Sequence, residues 1–276
     1  DEFMTQIEPV ASHVPWMTTD GNHERNCPCF IPPATAVSAG INWLNGSDSG
    51  GECGVPYGAR FTMPQAAPDS PWYSFQVGPV AVVLMSTEHD FSNASTQLAD
   101  LVQLLDAVDR NATPWLLFGG HRPMFVDSPY PAPSCAPLQS FVEPLLVEYG
   151  VDVALWGHHH SYQRSCPMIG GICMATREGG SGGCSGGGEA SDGAHLEGRA
   201  SQARPHCSNG IVHAVIGAAG YEFSPVATGD DVPVWVAYAN DTKYGYAAID
   251  ATPTSFHFAF VRADGEGILD EFTLHK

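Results

Sequence analysis

The stretch VDVALWGHHH, residues 151–160, joins an apolar run of strand length directly to three consecutive histidines. Two other stretches have the same form, PWMTTDGNHE at 15–24 and WLLFGGH at 115–121. Apolar residues at helical spacing occur between them, at 98–108 and 141–149, and a continuously apolar run occurs at 80–85. Strands that alternate with helices in this way predict an α/β fold with a largely parallel sheet.

The histidines follow the strands, and this position predicts a common site. Side chains beyond the carboxyl ends of parallel strands face one crevice. His158 and His160 are two residues apart, so in extended backbone they share a face while His159 points away. One Asn-His or Gly-His pair after a strand is more often an ordinary turn, but three in this order favour a metal site. The predicted ligands are Asn22, His121, His158 and His160.

The charge balance excludes one class of partner. Thirty acidic residues against eleven Lys and Arg give the 276-residue chain a formal charge of −19, whereas nucleic-acid binding needs clustered basic residues. A phosphate-handling site on such a chain needs local positive charge, and metal ions could supply it. The longest apolar runs fall well short of the ~20 residues that a membrane helix needs, so we predict no membrane span.

Cysteines and glycosylation sequons predict secretion to an extracellular or cell-wall location. The eight cysteines form an even set without zinc-type spacing, which favours disulfides whose pairing stays open. The disulfide candidates are Cys27, Cys29, Cys53, Cys135, Cys166, Cys173, Cys184 and Cys207. The sequons begin at Asn45, Asn93, Asn111 and Asn240. Residues 1–4 do not read as a signal peptide, so we expect the N-terminus to be processed or internal.

Three further segments complete the organisation. Residues 1–10 read as a helix, and residues 27–71 read as a long loop region. A Gly/Ser-rich segment at about 177–210 is predicted to be a flexible surface insertion. Residues 255–261 and 268–274 read as a final antiparallel pair of strands.

Three motifs resemble the metal-binding blocks of a known family. GNHE at 21–24, GHRPM at 120–124 and GHHHSYQRSCP at 157–167 are similar to the third, fourth and fifth blocks of the purple acid phosphatases. The resemblance is to the plant- and algal-like high-molecular-weight type, within the calcineurin-like metallophosphoesterases. It spans nearly the whole chain apart from the insertion. It implies that residues 1–276 are the C-terminal part of a four-layer α/β/β/α metallophosphoesterase sandwich that lacks its N-terminal strands.

The resemblance also implies a binuclear centre of Fe(III) with Zn(II), Mn(II) or Fe(II). Asn22, His121 and His158 would bind the divalent ion and His160 the ferric ion. His23 would lie near the phosphoryl group and stabilise its charge or protonate the leaving oxygen.

Weaker roles follow for three other residues. Glu24 would orient His23, and Arg122 would approach the substrate. Gln163 stands where the family usually has Glu, and we predict that it changes hydrogen bonds around the ligands without changing ligation.

The family's first two blocks, DxG and GDxxY, do not precede GNHE in the sequence. We therefore predict that an N-terminal fragment of the same precursor, as a companion chain, completes the metal site and fills a central gap in the sheet. The chain alone is expected to be a poor catalyst. A homo-oligomer is also compatible with the sequence.

Three functional hypotheses follow. The first is an acid phosphatase that hydrolyses phosphate monoesters, with nucleotide pyrophosphates or diesters as further substrates. The second is a non-catalytic, glycosylated extracellular or cell-wall component that reuses the phosphatase fold for assembly. The third adds to the first a disulfide-linked module in which Cys135 or Cys53 bridges two chains.

Overall fold

The computed structural model describes residues 2–25, 34–41, 46–67, 69–130, 135–174 and 210–276. The predicted insertion lies outside these ranges apart from its last residue, Gly210. The sequon asparagine Asn45 and the cysteines Cys27, Cys29, Cys184 and Cys207 also lie outside them. None of the helices in these ranges has the length and apolarity that crossing a membrane requires.

The described residues form seven α-helices, one short 3-10 helix (Gly229–Asp231) and twelve strands. The helices are α1 (Glu2–Ala11), α2 (Asn22–Arg25), α3 (Ala34–Ser38), α4 (Val55–Arg60), α5 (Thr96–Asp106), α6 (Ala136–Phe141) and α7 (Glu143–Glu148). The strands are β1 (Tyr73–Val77), β2 (Val80–Leu84), β3 (Trp115–Gly120), β4 (Val153–Trp156), β5 (Tyr162–Ser165), β6 (Met168–Ile169), β7 (Ile172–Cys173), β8 (Val212–Ile216), β9 (Val236–Asn240), β10 (Gly245–Ala251), β11 (Ser255–Arg262) and β12 (Ile268–His275).

A seven-stranded sheet in the order β1-β2-β3-β4-β8-β5-β9 forms the centre of the fold. The strands β2, β3, β4 and β8 are parallel neighbours, and the antiparallel strands lie toward the edges. Every residue of β3 is buried, as expected for a strand covered on both faces. The predicted α/β class is confirmed.

Two apolar clusters cover the two faces of this sheet. On one face, α5, α6 and α7 contribute Leu101, Leu138 and Leu146 to a core with Leu116 and Phe118 of the sheet. The other face packs against the three-stranded antiparallel sheet β10-β11-β12, through the inward-facing phenylalanines of β11. These clusters define three layers, α/β/β, and a second helical layer does not appear in the clusters that the described residues form.

Two expectations about the sheet are wrong. Residues 15–19 were expected to form a strand but belong to no strand ladder, and the hydroxyl of Thr19 instead donates a hydrogen bond to the carbonyl oxygen of Met85. The seven-stranded sheet also has no central gap, because each strand is hydrogen-bonded to the next. Unpaired strand edges lie instead at the sheet margins, including β10 and β12 of the smaller sheet.

The cysteines are only partly disulfide-bonded in the described residues. Cys166 and Cys173 form a disulfide across the β6–β7 hairpin, and Cys53 is also disulfide-bonded. The prediction of a disulfide at Cys135 is wrong, since its thiol is free and its side chain is buried beside α6. Burial raises the pKa of this thiol to about 12, so Cys135 is also unsuited to bridging two chains.

The three described sequon asparagines differ in exposure. Asn93 and Asn111 are exposed. Asn240 is half-buried at the end of β9, where its side-chain oxygen accepts hydrogen bonds from the main chain of Thr242 and Lys243. The structure therefore leaves two of these positions fully accessible.

Candidate metal centre

Three of the four predicted ligands have their polar atoms in contact. The side-chain oxygen of Asn22 lies 2.7 Å from Nε2 of His121 and 3.1 Å from Nδ1 of His158. These two imidazole nitrogens are 3.0 Å apart. Three atoms that all have acceptor lone pairs thus face one point, although they come from three separate segments of the chain.

The parallel sheet brings two of these residues together. Strands β3 and β4 are neighbours in register, with Gly120 opposite Trp156, so the residues that follow them leave the sheet at the same edge. His158 has φ of 65°, in the left-handed region that few non-glycine residues adopt. This conformation turns its ring edge-on to that of His121, with ring centres 4.9 Å apart.

Glycine at position 21 allows the third residue to approach. A Cβ atom at Gly21 would lie 2.8 Å from the ring of His121, closer than side-chain atoms pack. Gly21 directly precedes α2, on which Asn22 is the first residue. The Gly-Asn-His-Glu turn can therefore lie against His121 only because its first residue has no side chain.

The cluster fits a divalent cation. Two ligands that each lie about 2.1 Å from one ion are about 3 Å apart at the right angles of an octahedral site and about 3.4 Å apart at tetrahedral angles, so the observed separations of 2.7–3.1 Å are nearer to the octahedral value. Burial lowers the pKa of His121 to about 3 and that of His158 to about 4, and nearby positive charge adds to the effect. Both imidazoles are therefore neutral at ordinary pH, the form that binds metal. In the described ranges no three His, Cys, Asp or Glu residues form a group that could hold a metal ion. The cluster described here differs in that its third donor is the amide oxygen of Asn22.

His160 and His23 flank the cluster without hydrogen-bonding to it. Both lie close enough to His121 to add to the lowering of its pKa, which arises mainly from burial. Nδ1 of His160 lies 2.9 Å from the carbonyl oxygen of Glu222. Since a carbonyl only accepts, Nδ1 carries the proton and Nε2 of His160 keeps its lone pair for a metal. His23 is exposed on α2.

His159 is turned away from the cluster. Its Nδ1 lies 2.8 Å from the hydroxyl of Ser161 and 3.2 Å from Nε2 of Gln163. Gln163 also exchanges two hydrogen bonds with the main chain of Asp127. The amide of Gln163 therefore supports the loop that carries the histidines and contacts neither His158 nor His160.

The structure gives contacts for both residues with weaker predicted roles. Glu24 accepts a hydrogen bond from the main-chain nitrogen of Gly21 at 3.0 Å and so closes the turn that carries His23, and its role in orienting His23 stays a prediction. Arg122 does lie beside the cluster, with Nη1 3.5 Å from Nε2 of His158. Its guanidinium also donates two hydrogen bonds to Glu88, whose carboxylate is fully buried.

Two functional candidates were missed from the sequence. Glu88 holds Arg122, and Asp48 contacts both Asn22 and His23. Neither lies in a periodic segment or at the end of a strand that precedes a ligand, so no local pattern marks them.

Comparison with known proteins identifies the class. Residues 1–162 match the family described as calcineurin-like phosphoesterase, so the chain belongs to the calcineurin-like phosphoesterases. Residues 210–271 match the description "Iron/zinc purple acid phosphatase-like protein C". The C-terminal part of the chain is therefore similar to the purple acid phosphatases.

Individual relatives agree with this grouping. The chain is 34% identical to "Probable inactive purple acid phosphatase 9" of Arabidopsis thaliana, over 96% of this chain and 39% of that protein. It is 29% identical to a nucleotide pyrophosphatase/phosphodiesterase of Hordeum vulgare, over 100% of this chain and 67% of that protein. The solved purple acid phosphatase PPD1 from yellow lupin (Lupinus luteus) seeds superimposes with a TM-score of 0.76 at 27% identity, covering 100% of this chain and 43% of that one.

The chain spans about two fifths of the length of the first curated relatives that it matches, 39% to 40%. The names of the relatives disagree about enzymatic activity. Three of them are called probable inactive purple acid phosphatases, whereas the barley protein is named as an enzyme.

Proposed function

We propose that this chain forms the C-terminal part of a binuclear metallophosphatase that hydrolyses phosphate monoesters. The observation that carries the proposal is the convergence of Asn22, His121 and His158 within 2.7–3.1 Å of one another at one edge of the sheet. Neutral nitrogen and amide-oxygen donors in this arrangement suit Zn(II), Mn(II) or Fe(II).

Different residues of the chain would bind the two metal ions and donate the proton. Asn22, His121 and His158 would hold the divalent ion, and His160, oriented by the Glu222 carbonyl, would hold Fe(III). When bound, two such cations bind phosphoryl oxygens and lower the pKa of water for in-line attack. His23, exposed at the rim of the cluster, would stand at the leaving-group side and donate a proton there.

The charge distribution supports the need for metal ions. Seven of the described Lys and Arg side chains lie within 4 Å of a carboxylate, which largely cancels their charge. These pairs are Arg25–Asp69, Arg110–Asp152, Arg122–Glu88, Arg164–Asp270, Lys243–Asp264, Arg262–Asp264 and Lys276–Asp152. On a body of net charge −19, an anionic phosphoryl group would therefore be attracted mainly by bound cations.

We further propose that the remaining ligands come from residues that precede these in the same precursor, as a companion chain. Four donors are fewer than a two-metal centre requires, and the relatives are more than twice as long as the matched region. The strand margins of the three-stranded sheet would accept additional strands. The disulfides at Cys166, Cys173 and Cys53 support an oxidising, extracellular setting.

A non-catalytic extracellular role is the second candidate, favoured by the names of the inactive relatives. Elemental analysis and hydrolysis of p-nitrophenyl phosphate at acid pH separate the two, using the protein with any chain that copurifies. Two metal ions per complex with turnover supports the phosphatase. Metal-free protein without turnover supports the structural role.

A further inference from the structure

The segment 46–54 contacts the turn that carries Asn22 and His23. At one end of the segment, the main-chain nitrogen of Gly54 donates a hydrogen bond to the carbonyl oxygen of Glu24 at 2.6 Å. Gly54 has φ of 76°, and a Cβ atom there would lie 2.9 Å from Cδ of Arg25. The neighbouring Cys53 is disulfide-bonded. The hydrogen bond to Glu24 and the close approach to Arg25 hold this end of the segment against α2.

Within this segment, Asp48 contacts two consecutive residues of the candidate centre. Its carboxylate oxygen Oδ2 accepts a hydrogen bond from Nδ2 of Asn22 at 2.8 Å. Its main-chain carbonyl oxygen lies 3.3 Å from Nδ1 of His23. The side chain and the main chain of one residue thus reach two different site residues.

The first contact determines which way the Asn22 amide points. The two ends of an amide are nearly identical in shape, so hydrogen-bond partners decide their assignment. A carboxylate only accepts hydrogen bonds, so it selects the NH2 group of Asn22. The amide oxygen is then directed at His121 and His158. In the flipped orientation the NH2 group would face both imidazole nitrogens and would remove the oxygen donor from the cluster.

We propose that Asp48 is a positioning residue that orients Asn22 for metal binding through its carboxylate and holds His23 through its main-chain carbonyl. The proposal rests on the metal centre proposed above. Loss of partners that orient metal ligands lowers metal affinity by about 10–100-fold. We expect an effect of this size when the carboxylate is removed.

The test is a Co(II) titration of the full chain, together with any chain that copurifies, followed by the d–d absorption of the bound ion. Asp48→Ala removes the carboxylate but keeps the carbonyl that contacts His23. Asp48→Asn keeps one oxygen that can accept from Asn22, while it replaces the other oxygen with an NH2 group and removes the charge. Asp250→Ala, at an exposed position on β10, is the control for lost negative charge.

We expect Asp48→Ala to raise the Co(II) dissociation constant by about 10–100-fold and to change the d–d spectrum. Asp48→Asn should restore most of the affinity, and Asp250→Ala should bind like the unsubstituted protein. Unchanged affinity in Asp48→Ala would overturn the proposal, and so would equal losses in Asp48→Ala and Asp48→Asn. Failure of the unsubstituted protein to bind Co(II) would overturn the metal centre itself. Thermal unfolding of metal-free protein checks that each variant is folded.

Discussion

The side-chain oxygen of Asn22 lies 2.7 Å from Nε2 of His121, although the two residues are 99 positions apart in the chain. The two atoms are in direct contact, and each has a lone pair that is directed toward the centre of the cluster. Without a cation, the contact depends on which imidazole nitrogen carries a proton. A bound cation would accept both lone pairs at the same time. The close approach of the Asn22 oxygen to Nε2 of His121 is therefore most favourable when a metal ion is bound.

The first prediction separates His158 from its neighbour His159. His158→Ala removes one of three donors and should weaken Co(II) or Zn(II) binding by more than the roughly 100-fold upper range for an outer partner. His159→Ala should leave the affinity unchanged, because His159 bonds to Ser161 and Gln163 and not to the cluster. Isothermal titration measures both. Equal losses in the two variants would contradict the assignment of His158 as a ligand.

The second prediction concerns the ion pair between Glu88 and Arg122. The carboxylate of Glu88 is 0% exposed and Arg122 is 15% exposed. Removing either partner leaves a buried charge uncompensated, so Glu88→Ala and Arg122→Ala should each lower the free energy of unfolding by about 3–5 kcal/mol. The double variant should lose clearly less than the sum, with a coupling of about 1–3 kcal/mol.

Urea denaturation of the two single variants and the double variant measures this coupling. The exposed pair Lys243–Asp264, with side chains 42% and 40% exposed, is the matched control. Its coupling should stay below about 1 kcal/mol. Additive effects at Glu88 and Arg122 would show that the pair does not act as a unit.

The sequence predicted correctly those strands that are marked by a local pattern of apolar residues. Strands β3 and β4 are short apolar runs followed by glycine and histidine, and a parallel register then requires their ends to meet. Residues 15–19 were predicted as a strand, but a ladder needs a partner strand that periodicity cannot supply. The contact between Asp48 and Asn22 was missed because it depends on how the intervening segment closes. The free thiol of Cys135 was missed for the same reason, since disulfide pairing depends on three-dimensional distance.

The third prediction is a pH dependence of stability that arises from His213. This residue is 2% exposed, and burial lowers the pKa of its imidazole from 6.5 to about 3. Because the unfolded chain then binds a proton more readily than the folded chain, His213 should destabilise the fold as the pH falls below about 6.5. The loss approaches about 1.4 kcal/mol per pH unit until the folded pKa is reached.

His213→Gln tests this effect. Nδ1 of His213 accepts a hydrogen bond from Nε1 of Trp156, and the glutamine oxygen can replace that acceptor without titrating. Between about pH 6 and pH 4, the variant should lose about 2–3 kcal/mol less stability than the unsubstituted protein. Identical pH slopes in urea denaturation would show that His213 is not the source.

The fourth prediction concerns Gln163, where the family usually has Glu. Its Nε2 donates to the carbonyl oxygen of Asp127 at 2.8 Å and to the hydroxyl of Ser161 at 2.9 Å. In Gln163→Glu an oxygen would replace this donor and face the Asp127 carbonyl without a proton between them. At neutral pH the substitution should lower the free energy of unfolding by about 1–3 kcal/mol, the cost of an unsatisfied buried group.

Two features distinguish this prediction from a general loss of packing. The new carboxyl would have a raised pKa in the folded state, so its penalty should diminish as the pH falls and the group becomes protonated. Co(II) affinity should stay unchanged, because Gln163 contacts neither His158 nor His160. Gln103→Glu makes the same chemical change on the exposed face of α5 and should alter stability by no more than about 0.5 kcal/mol. A penalty at Gln163 that persists at low pH would show that its amide proton is not what the loop requires.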